Sequence, residues 1–313
     1  MIKYLDYYIP KERISIEEIF TKVAESKKIP KAFTTANEAI NFFKTSINLT
    51  EVAYADTMKE ETMFDILLNN FFEKKIIDKQ KIDLLILIND DLGRNQRMKN
   101  LGHYLIHKHE LDNAEFLSIS GNQCANTEFV VSYAEGLLQS GMVKNLIILA
   151  ANKIIDIGER TVGTYAIHGD GAGIIYMNTD EKEGFTIVAK HSYTNGLLYN
   201  ADQDTNNSLL LCKNYLKCIS ECIAIHQLVP EDYMYVNIQN ANPILVTQCL
   251  SSLGFKESQF FKENIYKYGH LDCVDFIINL KTIAEKMLPQ ASKIFSFATG
   301  SSGSNICLLL EVK

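Results

Sequence analysis

Two uninterrupted apolar runs constrain this chain more than any other feature. Residues 81–89 carry Ile82-Asp83-Leu84-Leu85-Ile86-Leu87-Ile88, and residues 146–151 read Leu-Ile-Ile-Leu-Ala-Ala. A strand with one wet face alternates polar and apolar residues, so unbroken runs fit a parallel sheet covered on both sides. Helical periodicity lies between and around them. Residues 62–74 place Met63, Ile66, Leu67, Phe71 and Phe72 on one face, and residues 97–109 repeat the pattern. A glycine-rich stretch, residues 169–173, reads as a hinge ahead of a strand at 174–177.

After a polar stretch at 195–207 the pattern restarts. Helices are expected at 209–226, 243–253 and 276–287, and strands at 233–237, 293–297 and 306–310. Two successive α/β halves, 1–178 and 179–313, predict a pseudo-duplicated α/β fold whose active-site loops meet between the halves.

Bulk properties remove several function classes. The 313 residues are 47% hydrophobic and 22% charged, as in a soluble globular protein. No apolar run reaches the length of a membrane span, and Met1 to Tyr7 has no signal-like segment. A net charge of -7 argues against a nucleic-acid or anionic-membrane surface. Seven cysteines without a Cys-x-x-Cys pair suggest neither a disulfide framework nor a zinc site, so a reducing cytoplasm is expected.

The stretch Gly121-Asn122-Gln123-Cys124-Ala125-Asn126 follows an apolar strand at 116–119 and precedes an amphipathic helix at 129–138. Cys124 then sits on a tight strand-to-helix turn at the positive end of a helix dipole, which favours the thiolate. A cysteine nucleophile for acyl transfer needs that placement.

Four segments in order resemble β-ketoacyl-acyl-carrier-protein synthase III and its relatives in the thiolase superfamily: the Cys124 elbow, Gly169-Asp170-Gly171-Ala172-Gly173, Gln239-Asn240-Ala241-Asn242, and Tyr268-Gly269-His270. The loop Thr299-Gly300-Ser301-Ser302-Gly303 is similar to the family's terminal glycine loop. The resemblance implies an αβαβα layered fold, a homodimer, a Cys124 acyl-enzyme, and an oxyanion hole made by the backbone N–H groups of Cys124 and Gly300. It also implies a thioester donor carried by acyl carrier protein or coenzyme A, with no permanently bound cofactor and no metal.

Departures from the family shape the functional expectation. The family's catalytic histidine is Gln239 here and its catalytic asparagine is His270, so the pair that stabilises an enolate looks exchanged. The chain contains no tryptophan, and the segment that grips coenzyme A reads Lys44-Thr45-Ser46-Ile47, with Ile244 where a second basic residue is expected. Lys44 is left as the candidate phosphate contact, and a carrier-protein donor is favoured over free acyl-coenzyme A.

Among neighbouring polar groups, Asn242 is expected to brace its loop and His168 to be structural. Asp272 reads as an N-cap and support residue for the helix that follows, and Asp275 as a first-turn acid, in preference to a triad role for either. His103, His107 and His109 read as a solvated helix face. The combined expectation is an acyltransferase of the ketoacyl-synthase III type that uses Cys124, His270 and Gln239, with a small-molecule heteroatom acceptor. The alternatives are a decarboxylative β-ketoacyl synthase and a non-catalytic subunit of a heterodimer.

Overall fold

The structure, a computed structural model, describes residues 1–88, 100–180, 182–199 and 208–313. Its ten-stranded mixed sheet divides into two runs of five. The first contains Ile2–Tyr8, Gly171–Asn178, Asn145–Asn152, Leu84–Ile88 and the edge strand Glu115–Ile119. The second contains Phe185–Thr194, Ser304–Val312, Lys293–Thr299, Tyr233–Ile238 and Phe260–Phe261. Between the first strands of the two runs, one Cα pair, Ile2 with Phe185, carries the ladder across. Leu84–Ile88 pairs in parallel with both of its neighbours, as its apolar run predicts.

Side-chain alternation explains that run. Leu84, Ile86 and Ile88 face a central core that also holds Val130, Val131 and Ala134 of helix Asn126–Gln139 and Ile277, Ile278 and Leu280 of helix Asp275–Ala284. Leu85 and Leu87 face the opposite way, against Met63, Phe64 and Leu67 of helix Glu60–Glu73. The second run repeats the arrangement, with Ile294 and Leu308 towards the centre and Phe295 and Leu309 packed against helices Ser208–His226 and Pro243–Ser252. The layers are therefore helix, sheet, paired central helices, sheet, helix: the αβαβα architecture of the thiolase-like fold. Each buried Leu or Ile side chain contributes roughly 1.5–3 kcal/mol from burial.

Strands Ile2–Tyr8 and Phe185–Thr194 carry interspersed polar residues and escape a search for apolar runs. The helix expected over 97–109 is observed as Leu101–His109, capped by the Asn100 side chain, which accepts from His103 N. Positions 89, 97–99 and 200–207 of the expected elements lie outside the described residues. His109 is not on a solvated face: it is 3% exposed, with Nε2 2.9 Å from Asp65 Oδ1.

The glycine-rich stretch is no hinge. Gly173 lies within a strand because helix Asp275–Ala284 packs directly on it; a Cβ there would come within 2.7 Å of Ile277 Cδ1. Asp170 is fully buried and accepts from Ala55 N, Ile154 N and both terminal nitrogens of the fully buried Arg160. Arg160 also donates to the carbonyls of Ile154 and His168. Breaking such a pair leaves an uncompensated buried charge, so Asp170→Ala or Arg160→Leu is expected to cost about 3–5 kcal/mol. Denaturant unfolding of each variant against wild type measures this.

Candidate active site

The site assembles where the two halves meet. Strand Glu115–Ile119 ends in a turn through Gly121, Gln123 takes a left-handed backbone (φ 51°), and a single 3-10 turn, Gln123–Ala125, feeds helix Asn126–Gln139. Cys124 thus sits at a helix N-terminus, as the elbow reading predicts. Glu128, in the first turn of that helix, is buried; burial pushes its carboxyl well above the usual range, against the pull of its own backbone N–H, and the charge on Asp275 adds to the rise.

His270 comes from the second half and meets Cys124 directly. Its Nε2 lies 3.2 Å from Cys124 Sγ, and its Nδ1 lies 2.5 Å from Asp275 Oδ2. The backbone on either side is fixed: His270 N donates to Ile167 O, and Gly169 N donates to His270 O. Gly269 (φ 74°) permits this approach, since a Cβ there would come within 2.8 Å of Ile167 O and 2.5 Å of Val52 Cγ1.

Asp275 corrects the sequence expectation. It does open a helix, but its carboxylate turns back to accept from His270 Nδ1, Leu271 N (2.8 Å) and Asn240 N (2.7 Å). An ionised carboxylate only accepts, so Nδ1 carries the proton and Nε2 is aimed at the thiol. A Cys124–His270–Asp275 relay is present, with its acid five residues after the histidine. Asp272 is not the N-cap of that helix. It has φ 55° and begins the 3-10 turn Asp272–Val274, and Cys273 Sγ approaches its Oδ1 at 3.3 Å.

Charges around His270 act in opposite directions. Burial alone lowers its affinity for a proton, but the charge and hydrogen bond of Asp275, with the charge of Asp272, outweigh it and leave the ring raised above the ordinary histidine value. His168, whose ring centroid is 5.0 Å from that of His270, is pushed down to about 4 by burial and then by His270. A neutral His168 packs beside the relay without adding a positive charge.

Gln239 is bonded to both the elbow and the terminal loop. Its Nε2 donates to Cys124 O at 2.9 Å, and its Oε1 accepts from Thr299 N at 3.0 Å and Tyr165 Oη at 3.2 Å. The amide pins the elbow to the terminal loop. Gln123, which sequence reasoning missed, does the same: Oε1 accepts from Ser301 Oγ and Ser302 N, and Nε2 donates to Ser302 Oγ. Its place next to Cys124 was the one available signal.

Gly300 lies against the elbow, where a Cβ would come within 2.4 Å of Asn122 O. Its N–H donates to Ser304 O at 2.7 Å, so the donor assigned to an oxyanion hole is engaged within the hairpin. Asn242 caps helix Pro243–Ser252, accepting from Ile244 N and donating to Thr164 O. Lys44 lies on the π-helical turn Phe43–Ile47 and forms an ion pair with Glu17. It does not line the adjoining cavity.

That cavity, of about 330 Å³, opens beside Tyr165, Gln239 and Thr299, and its wall is mainly apolar, with Phe42, Leu211, Ile244 and Phe297. Among the described residues, one group of side chains could hold a metal ion: Cys124, His270 and Asp272, whose ligand atoms lie within 4.8 Å of one another. It coincides with the relay.

No family model matches the chain. A β-ketoacyl-[acyl-carrier-protein] synthase III from Sulfurimonas denitrificans is 29% identical over 127 residues, 40% of this chain and 37% of the relative. A synthase III from Staphylococcus epidermidis is 26% identical over 179 residues, 56% of this chain and 52% of the relative. The chain thus spans about half the length, or less, of these curated relatives. Among solved structures, 3-oxoacyl-[acyl-carrier-protein] synthase III from Aquifex aeolicus superposes with TM-score 0.80 at 20% identity, covering 99% of each chain. ChlB3, described as an acyltransferase, superposes with TM-score 0.80 at 17% identity, covering 99% of this chain and 97% of the other.

The fold is thiolase-like. The curated sequence relatives carry the name β-ketoacyl-[acyl-carrier-protein] synthase III.

Proposed function

We propose that this protein is an acyltransferase of the ketoacyl-synthase III type that passes an acyl group from a thioester, through Cys124, to a heteroatom acceptor. The observation that carries the reading is the Cys124–His270–Asp275 relay, with Nε2 of His270 3.2 Å from Sγ. Cys124 attacks the thioester carbonyl, its proton passing to His270 Nε2 and on to the carrier thiol as that thiol leaves. In the second step His270 Nε2 takes the proton of the acceptor's O–H or N–H, the new bond to carbon forms, and the C–S bond breaks. The proton returns to Sγ.

A condensing enzyme instead needs two donors aimed at the enolate oxygen. Here one of them, the Gln239 amide, binds Cys124 O, Thr299 N and Tyr165 Oη, which supports the heteroatom reading. The names of the sequence relatives favour decarboxylative condensation as the second reading. Further parts of the proposal are a carrier-protein donor, because Lys44 is paired with Glu17, a cytoplasmic setting, and a homodimer that covers the edge strand Glu115–Ile119, where Leu117 is 40% exposed.

Carbon dioxide release decides between the two. With a carboxyl-labelled malonyl thioester, presented on coenzyme A and on a carrier protein, wild type is expected to release no label above the Cys124→Ala background. An unlabelled acyl thioester should still acylate Cys124 by intact mass. Sustained release from either carrier would reject heteroatom transfer in favour of condensation.

A further inference from the structure

Beside the relay stands a second carboxylate that the transfer chemistry above does not use. Asp272 is half-buried, and its carboxylate, Cys124 Sγ and a ring nitrogen of His270 lie within 4.8 Å of one another. Its position is held from several sides. Cys273 Sγ approaches both Gln123 O and Asp272 Oδ1 at 3.3 Å, and Thr127 Oγ1 donates to Cys273 O. The left-handed backbone at Asp272 would suit asparagine as well as aspartate, so the backbone does not account for the charge.

A partner attacking an acyl group on Cys124 Sγ would do so beside this carboxylate, whose ligand atom lies within 4.8 Å of the sulfur. Among the described residues lining the adjoining cavity there is no lysine, arginine or histidine. An approaching anion, such as the free carboxylate of a malonyl group, therefore meets like charge at the reacting end and no cation along that wall. A cation meets the opposite.

We infer that Asp272 sets the acceptor class, receiving the nitrogen of a primary amine beside the Cys124 acyl-enzyme and turning away carboxylate-bearing partners. This rests on the heteroatom transfer proposed above and names its substrate. The amine arrives as an ammonium ion against Asp272 and loses one proton to solvent. The neutral nitrogen attacks the thioester carbon, its second proton passes to His270 Nε2, and the C–N bond replaces the C–S bond. The proton on Nε2 then moves to the departing Sγ, restoring the thiol. Asp272 ends the cycle unchanged, and the product is an amide.

The test uses the full chain, acylated with an octanoyl thioester and offered 2-phenylethylamine or 2-phenylethanol, which differ only at the nucleophile. In Asp272→Asn the amine-to-alcohol ratio of kcat/KM is expected to fall about tenfold to a hundredfold, the range of one charge-assisted hydrogen bond. Asp272→Ser, with a thermal midpoint for both variants, separates loss of charge from loss of fold. A ratio unchanged in both variants, a wild type that prefers the alcohol, or an acyl-enzyme that transfers to neither probe overturns the inference and leaves the relay in place. Carbon dioxide release from malonyl thioester without transfer overturns heteroatom transfer itself, and this inference with it.

Discussion

Cys124→Ala is expected to abolish the acyl-enzyme and to lower transfer by roughly 10⁴-fold or more, because the acyl group then has no thiol on the elbow to which it can bond. Intact-mass analysis of wild type after mixing with an acyl thioester should reveal a single adduct, and peptide mapping should place it on Cys124. The elbow makes the prediction specific to that thiol. None of the six other cysteines forms a disulfide; five of them are buried and the sixth, Cys212, has its sulfur 3.4 Å from Cys249 Sγ. An adduct that persists at full occupancy in Cys124→Ala would mean that the nucleophile lies elsewhere.

The second large effect is expected at His270 and Asp275. His270→Ala should slow transfer to the acceptor by about 10²–10⁴-fold, the usual range for loss of a general base. The pH profile carries further information. The base works as the neutral ring, and His270 holds its proton above the ordinary histidine value, so transfer should rise with pH and reach its plateau above that value. Asp275→Asn removes the charge that lifts the ring while burial still pulls it down. Its midpoint should therefore move to lower pH even as the plateau rate falls. Rapid-mix transfer from a pre-formed acyl-enzyme across a pH series reads both quantities. A midpoint that stays in place would show that Asp275 does not act on His270 through its charge.

Much of this architecture was legible because both faces of the sheet are covered. Leu84–Ile88 and Asn145–Asn152 announce themselves as apolar runs, whereas Ile2–Tyr8, with Lys3 and Asp6, gives no such signal although it lies next to the centre of the sheet. At the site, Cys124 and His270 stood out through local context: an elbow for one, a Tyr-Gly pair ahead of the other. Asp275 did not, because its role depends on the turn at Asp272–Val274 folding the first residue of a helix back onto a ring five positions earlier. Gln239 was legible as a site residue but its bonding was not. Those partners, Cys124 and Thr299, are brought to it from distant parts of the sequence.

Gln123 is held by Ser302, 179 residues further along the chain. At ribosomal rates of roughly 5–20 residues per second, the nucleophile is synthesised on the order of ten seconds before the loop that braces it. For most of that interval the growing chain carries Cys124 without His270, Asp275 or Ser302. The site as described is therefore complete only once residue 302 has been made and its loop can reach Gln123.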